Sequence, residues 1–199
     1  MFNIHLRPQP YFDNMKTMSK NLTRKQRDLI AIILLTRLGA FIGWVYEMLF
    51  YRIDQGHFIR RGQGGPWLPI YGFGGLFLTL AVYKRKVKPI IVFIITMIGS
   101  FIIEFTTGYV LYHFFDGMRL WDYNVEIWNW GNIGGYVCIR SVLIFGVMGV
   151  LYAKWAIPGV LNAARKTDRK KLLGLFIPLS VIFFGDILFS YILRPLLFK

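Results

Sequence analysis

Apolar runs of bilayer length recur along this chain, and they restrict it to an all-α, polytopic membrane bundle. Residues 29 to 52, 67 to 83, 89 to 114, 138 to 157 and 172 to 194 are candidate spans, divided by short stretches where charges, glycines and prolines gather. Hydrophobic residues make up 55% of the 199 and aromatics 18%, too apolar a composition for the core of a soluble domain of this size. About five transmembrane helices are expected, forming a single domain over residues 29–199. Residues 1–28 form a basic N-terminal arm. Thr23 followed by Gln26 has the form of a capping box that starts the first helix there.

The formal charge of +14 is a matter of topology. The arm, the second connection and the fourth hold 16 of the 24 Lys and Arg residues, as expected of loops on one membrane side. The N-terminus is therefore predicted inside, as in a multi-pass plasma-membrane protein, with membrane lipid as a contact of the arm. The basic residues follow no nucleic-acid-binding motif, so nucleic acid is not an expected partner. Cys138 is the lone cysteine, and His5, His57 and His113 have no metal-ligand spacing, so neither a metal nor another cofactor is expected.

Three carboxylates, Glu47, Glu104 and Asp186, fall inside the apolar runs. A charge at that depth costs at least about 2.5 kcal/mol on insertion scales and marks a functional site by default. At 1.5 Å per residue they stand roughly 27, 22 and 21 Å from the inner helix ends, all in the outer half, at the level where Arg140 enters. Thr96, Ser100, Glu104, Gly108 and Tyr112 form a stripe of period four on an otherwise aliphatic helix. Thr36, Ala40, Gly43 and Glu47 form another, with Gly39 and Gly43 as a GxxxG pair, and Asp186, Ser190 and Arg194 form a third. Three such stripes facing one another would build a polar, outward-facing cleft. The alternative is structural: Glu47 or Glu104 pairs with Arg140, and Asp186 with Arg37 or Arg194, fixing helix register.

Two connections are unusual. Residues 60 to 75, RRGQGGPWLPIYGFGG, hold six glycines and two prolines. Backbone there should be broken or re-entrant from Gly62 to Gly75, tolerable at membrane depth only where protein or water satisfies it. No Lys-Ser or Lys-Thr follows the glycines, so this is no nucleotide-binding loop. Residues 116 to 136, with three tryptophans beside Asp122, Glu126, Asn129 and Asn132, read as an interfacial aromatic cap or as a lid over the cleft.

GWVYE at 43–47, RRG at 60–62, GPWLPIYGFGG at 65–75, Glu104, WDY at 121–123 and NIGGYVCIRS at 132–141 with Phe145-Gly146 occur in this order. Together, over roughly residues 39 to 158, they resemble the bacterial family of CmpB-like, type IV ABC-transporter permeases. The resemblance implies membrane transport and importance for Glu47, Arg61, Gly65, Pro66, Pro69, Tyr71, Glu104, Trp121, Asp122, Tyr123, Asn132, Arg140 and Ser141. The candidate solute-binding set is Glu47, Arg61, Tyr71, Glu104, Trp121, Asp122, Asn132, Arg140 and Asp186. A permease of this size without a nucleotide motif is expected to work with an ATPase partner or as a homo-oligomer. The second functional class is an intramembrane enzyme using Glu47 and Glu104 as acid and base on a lipid or lipid-linked substrate.

Overall fold

The computed structural model describes residues 21–62 and 64–197. Most of the basic arm, His5, Gln63 and Lys199 lie outside the described residues. Among those described, the regular structure is helical, and four helices are long and apolar enough to cross a membrane: α1 (Arg24–Asp54), α3 (Pro89–Phe114), α4 (Ile139–Lys166) and α5 (Arg169–Leu193). Between the first two lies a shorter apolar helix, α2 (Pro69–Val82).

The start of α1 is fixed by local chemistry. Thr23 Oγ1 accepts from the Gln26 backbone N–H at 3.3 Å, and the Gln26 side chain accepts from the Thr23 N–H at 2.9 Å, closing the capping box. The helix thus begins within the basic segment, at Arg24.

The second apolar run departs from a full span. Pro69 takes the first turn of a helix only 14 residues long, about 21 Å by helical rise against a hydrocarbon core of about 30 Å. The remaining depth is covered by irregular chain. The Leu68 N–H donates 3.0 Å to the carbonyl of Ala40, and Ala40 lies about 24 Å of helical rise above Arg24, near the middle of α1. The segment after Arg61 therefore descends non-helically to mid-bundle and continues to the basic end as α2, where Tyr83 meets Asp28. This corrects the expectation that Gly62 to Gly75 is irregular throughout: the break ends at Leu68, and Gly72, Gly74 and Gly75 are helical. Pro69 sits where its missing N–H costs nothing, and glycine in the helix allows close packing. A Cβ on Gly72 would stand 3.0 Å from the Thr36 carbonyl oxygen of α1, and one on Gly39 would stand 3.1 Å from the Tyr71 oxygen of α2.

The descending chain is held from α5. Asp186 Oδ2 accepts from the Gly65 N–H at 2.9 Å and from Trp67 Nε1 at 2.7 Å. A carboxylate at that depth satisfies backbone that no helix satisfies. A Cβ on Gly64 would come within 2.3 Å of the same carboxylate, so a larger residue there must displace Asp186. Asp186 thus pairs with neither Arg37 nor Arg194. Arg37 instead donates to Ser180 Oγ at 2.8 Å and lies over the Phe176 ring at 5.1 Å, with Phe183 and Phe184 beside it.

One end of the bundle gathers the basic residues of α1, the α2–α3 turn, α4 and α5. Its core is Ile30, Ala31 and Leu35 of α1 against Ile157, Leu161 and Ala164 of α4 and Leu172 of α5. Arg27 Nη1 donates to the carbonyls of Ala164 and Thr167, tying α1 to the α4–α5 turn. Both α4 and α5 widen into π-helical turns, at Tyr152–Ala156 and Leu188–Leu193. The first sets Tyr152 against α1, where its hydroxyl donates 2.6 Å to the Leu35 carbonyl.

The opposite end is closed by residues 115 to 138, folded as a cap with its own turns. Tyr123 N–H donates to the Gly135 carbonyl at 3.2 Å, Trp121 Nε1 to the Tyr136 carbonyl at 2.8 Å, and Ile133 pairs with Val137. Gly135 has φ +80°, and a Cβ there would meet Arg119, Asn124 and Asp122, so the turn requires glycine. Tyr123 and Glu126 point inward and are buried.

Candidate functional site

Helices α1 to α4 and the cap line a partly open cavity of about 370 Å³. It extends from Arg140 to Trp155 along α4, about 22 Å at 1.5 Å per residue. Most of its wall is aromatic or aliphatic, with Phe77, Met148 and Trp155 toward the basic end. Glu47, Glu104, Glu126, Arg140 and tyrosines 46, 51, 71 and 123 also line it. The small-residue stripes shape it: Gly39, Gly43 and Glu47 of α1 and Thr96, Ser100 and Glu104 of α3 all face it.

Glu47 projects from the last turns of α1. It accepts from Arg61 Nε at 2.7 Å and from the Tyr71 hydroxyl at 2.9 Å. Tyr71 reaches it by lying on Gly43, where a Cβ would stand 2.0 Å from the tyrosine Cγ. The Arg61 guanidinium also lies 4.1 Å from the centre of the Tyr51 ring.

Arg140 opens α4 and is 4% exposed. Its partner is Glu126 of the cap, with Nη2 2.7 Å from Oε2, and Glu126 also accepts from the Tyr51 hydroxyl. Arg140 lies over the Phe50 ring at 4.3 Å. The expected pairing of Arg140 with Glu47 or Glu104 is thus replaced by a cap residue. Neither Glu126 nor Tyr51 is among the candidate residues: the polar, Trp-rich loop points to Glu126, and nothing in the sequence singles out Tyr51 of α1.

Glu104 is different in kind. It is 7% exposed, accepts from Ser141 Oγ at 2.9 Å and from the Tyr123 hydroxyl, and belongs to none of the ion pairs among the described residues. Burial, and then the Glu104 charge, push the Tyr123 hydroxyl well above its usual range, so it remains a donor at any physiological pH. With Glu47 matched by Arg61 and Glu126 by Arg140, the cavity is left with one unmatched acid, at the polar end of an apolar chamber.

Other candidates take different places. Trp121 lines the cavity from the cap. Asp122 is a turn residue, accepting from the Asn124 N–H at 3.0 Å and from Arg119 at 3.3 Å. Asn132 accepts from the Gly135 N–H at 2.8 Å and donates to Asn124. Neither is in the cavity wall, nor is Asp186. Arg61 acts on it through Glu47.

Three of the four helices long and apolar enough to cross a membrane, a shorter apolar helix and a cap thus line an acid-tipped cavity. The profile of the family described as "Putative ABC-transporter type IV" matches residues 34–191, and the chain belongs to that family. It is a multi-pass membrane protein of the transport class. No curated protein and no solved structure matches the chain.

Proposed function

We propose that the chain is the membrane-embedded, solute-binding component of a transporter, and that its solute is amphipathic: an elongated apolar body carrying a cationic or hydrogen-bond-donating group. The reading rests on Glu104, a buried carboxyl group with two neutral donors and no ion-pair partner among the described residues, at the polar end of a cavity walled mostly by aromatic and aliphatic side chains. A donor or ammonium head complements that charge. The apolar body replaces lipid or water contacts along Phe77, Met148 and Trp155. Glu47, Tyr71, Trp121, Tyr123, Glu126 and Arg140 shape the polar end, and Arg61 holds Glu47 in place.

The basic end faces the cytoplasm in this reading, so that the cap and the acid tip face outward. Energy is supplied by a separate ATPase docking on the basic end, as the family suggests. Purification from native membranes tests the assembly: an ATPase that copurifies stoichiometrically, and whose turnover responds to solute, supports it. A chain that purifies alone and moves solute unaided contradicts it. The enzyme reading draws less support, because Glu47, its proposed second carboxylate, is already engaged by Arg61 and Tyr71.

A further inference from the structure

A second cavity, of about 530 Å³, opens at the basic end between α1, the α2–α3 turn, α3 and α4. Arg24, Lys84, Arg85 and Arg165 line it, and Val87 and Pro158 form accessible parts of its apolar wall, over the buried Val92 and Leu161. One of these cations is already matched. Arg165 donates to both oxygens of Asp28, at 2.6 and 3.0 Å, and the Tyr83 hydroxyl donates to Asp28 at 2.7 Å. Asp28 is buried at 2% exposure, so this ion pair is a fixed part of the pocket. Lys84 and Arg85 have no acid partner among the described residues, and Arg24 forms no ion pair there, although Asp28 lies within its electrostatic reach. Lys84 is held in a left-handed turn at φ 56°, with its ammonium 4.9 Å from the centre of the Tyr83 ring.

Three cations outside these ion pairs, around a pocket with an apolar wall, select a ligand that is anionic at one end and hydrocarbon at the other. Arginine forks and a lysine point charge suit phosphate oxygens. The pocket lies where α2 ends and α3 begins, at the headgroup level of a bilayer crossed by these helices. Basic pockets between transmembrane helices on the cytoplasmic side bind anionic headgroups. The geometry points to a resident anionic phospholipid, its phosphate held by Arg24, Lys84 and Arg85 and its chains running along Val87 and Pro158. The site is separate from the acid-tipped cavity and does not depend on what occupies it.

The test uses the full chain, purified and delipidated in a neutral detergent, titrated with dioctanoyl phosphatidylglycerol and followed by thermal unfolding and by native mass spectrometry. Saturable binding that raises the unfolding midpoint is expected, with no such response to dioctanoyl phosphatidylcholine and no displacement by inorganic phosphate. The K84Q/R85Q double variant should bind phosphatidylglycerol roughly 25-fold more weakly, about fivefold per neutralised cation. K170Q/K171Q removes the same charge from exposed positions outside the pocket and should change affinity by less than about threefold, since screening ends such effects within a Debye length. An equal loss in the two double variants would overturn the pocket in favour of diffuse surface charge. Displacement by inorganic phosphate at equal concentration would overturn the lipid as its occupant. Unchanged binding in K84Q/R85Q, with the variant folded at the wild-type midpoint without lipid, would overturn the site.

Discussion

Ser141 Oγ, in the first turn of α4, donates a 2.9 Å hydrogen bond to Glu104 Oε2 midway along α3, while Tyr123 of the cap donates to the other oxygen of the same carboxylate. One acid thus joins two membrane-length helices and the cap. Ser141→Ala and Tyr123→Phe each remove one donor from a buried carboxylate, where a hydrogen bond to a charged group is worth about 1.5–3 kcal/mol. Each should lower the thermal midpoint in detergent, and the double variant should lose more than either. If Tyr123→Phe left the midpoint unchanged, the cap would not be anchored at Glu104.

The Arg140–Glu126 pair makes a sharper energetic prediction. Both side chains are at most 5% exposed, so either alone leaves a buried, unmatched charge. Glu126→Leu or Arg140→Met should each cost about 3–5 kcal/mol. For a chain of this length that corresponds to a midpoint lower by roughly 6–20 °C. The double variant should recover much of the loss. Strictly additive losses in the double-variant cycle would mean that the two groups do not interact.

Glycines that allow close approach should be separable by size. Gly43→Ala places a Cβ 2.0 Å from the Tyr71 ring and must drive that ring off Glu47, whereas the Gly39 Cβ meets a backbone oxygen at 3.1 Å. We expect Gly43→Ala to cost about 1–3 kcal/mol as overpacking, with a smaller effect of Gly39→Ala, by thermal unfolding of the two variants side by side. Equal effects would place the demand on helix packing in general and not on the Tyr71–Glu47 contact.

Orientation is tested by cysteine labelling in a Cys138→Ser background. With the basic end in the cytoplasm, Lys86→Cys should resist an impermeant maleimide in intact cells and react after permeabilisation, while Met118→Cys of the cap should react in both. Labelling of Lys86→Cys in intact cells would reverse the bundle.

The helices were legible in the sequence because apolar length and period-four stripes are local properties of a helix. Thr23 and Gln26 announced the start of α1, and the Thr96–Ser100–Glu104 stripe identified the cavity face of α3. Partners were not legible. Glu104 with Ser141 and Tyr123, and Arg140 with Glu126, are joined by an irregular loop whose path no periodicity encodes. The run from Gly62 to Gly75 was recognisable as unusual by composition. The point where it becomes helical depends on Pro69 and on contacts with α1 that form only in the folded bundle.

Whether Glu104 recognises the head of an amphipathic solute is decided by ligand pairs that differ only in head charge. Dodecylamine and dodecanoate should be titrated, below their micellar concentrations, against wild type and Glu104→Gln in nanodiscs of neutral lipid, followed by tryptophan fluorescence and calorimetry. The substitution keeps shape and hydrogen-bonding capacity while removing the charge. Saturable binding of the amine to wild type is expected, with little of the carboxylate, and a loss of roughly tenfold or more in amine affinity in Glu104→Gln, as a charge-assisted hydrogen bond is removed. Equal binding of the two ligands, or amine binding unchanged in Glu104→Gln, would contradict recognition by Glu104.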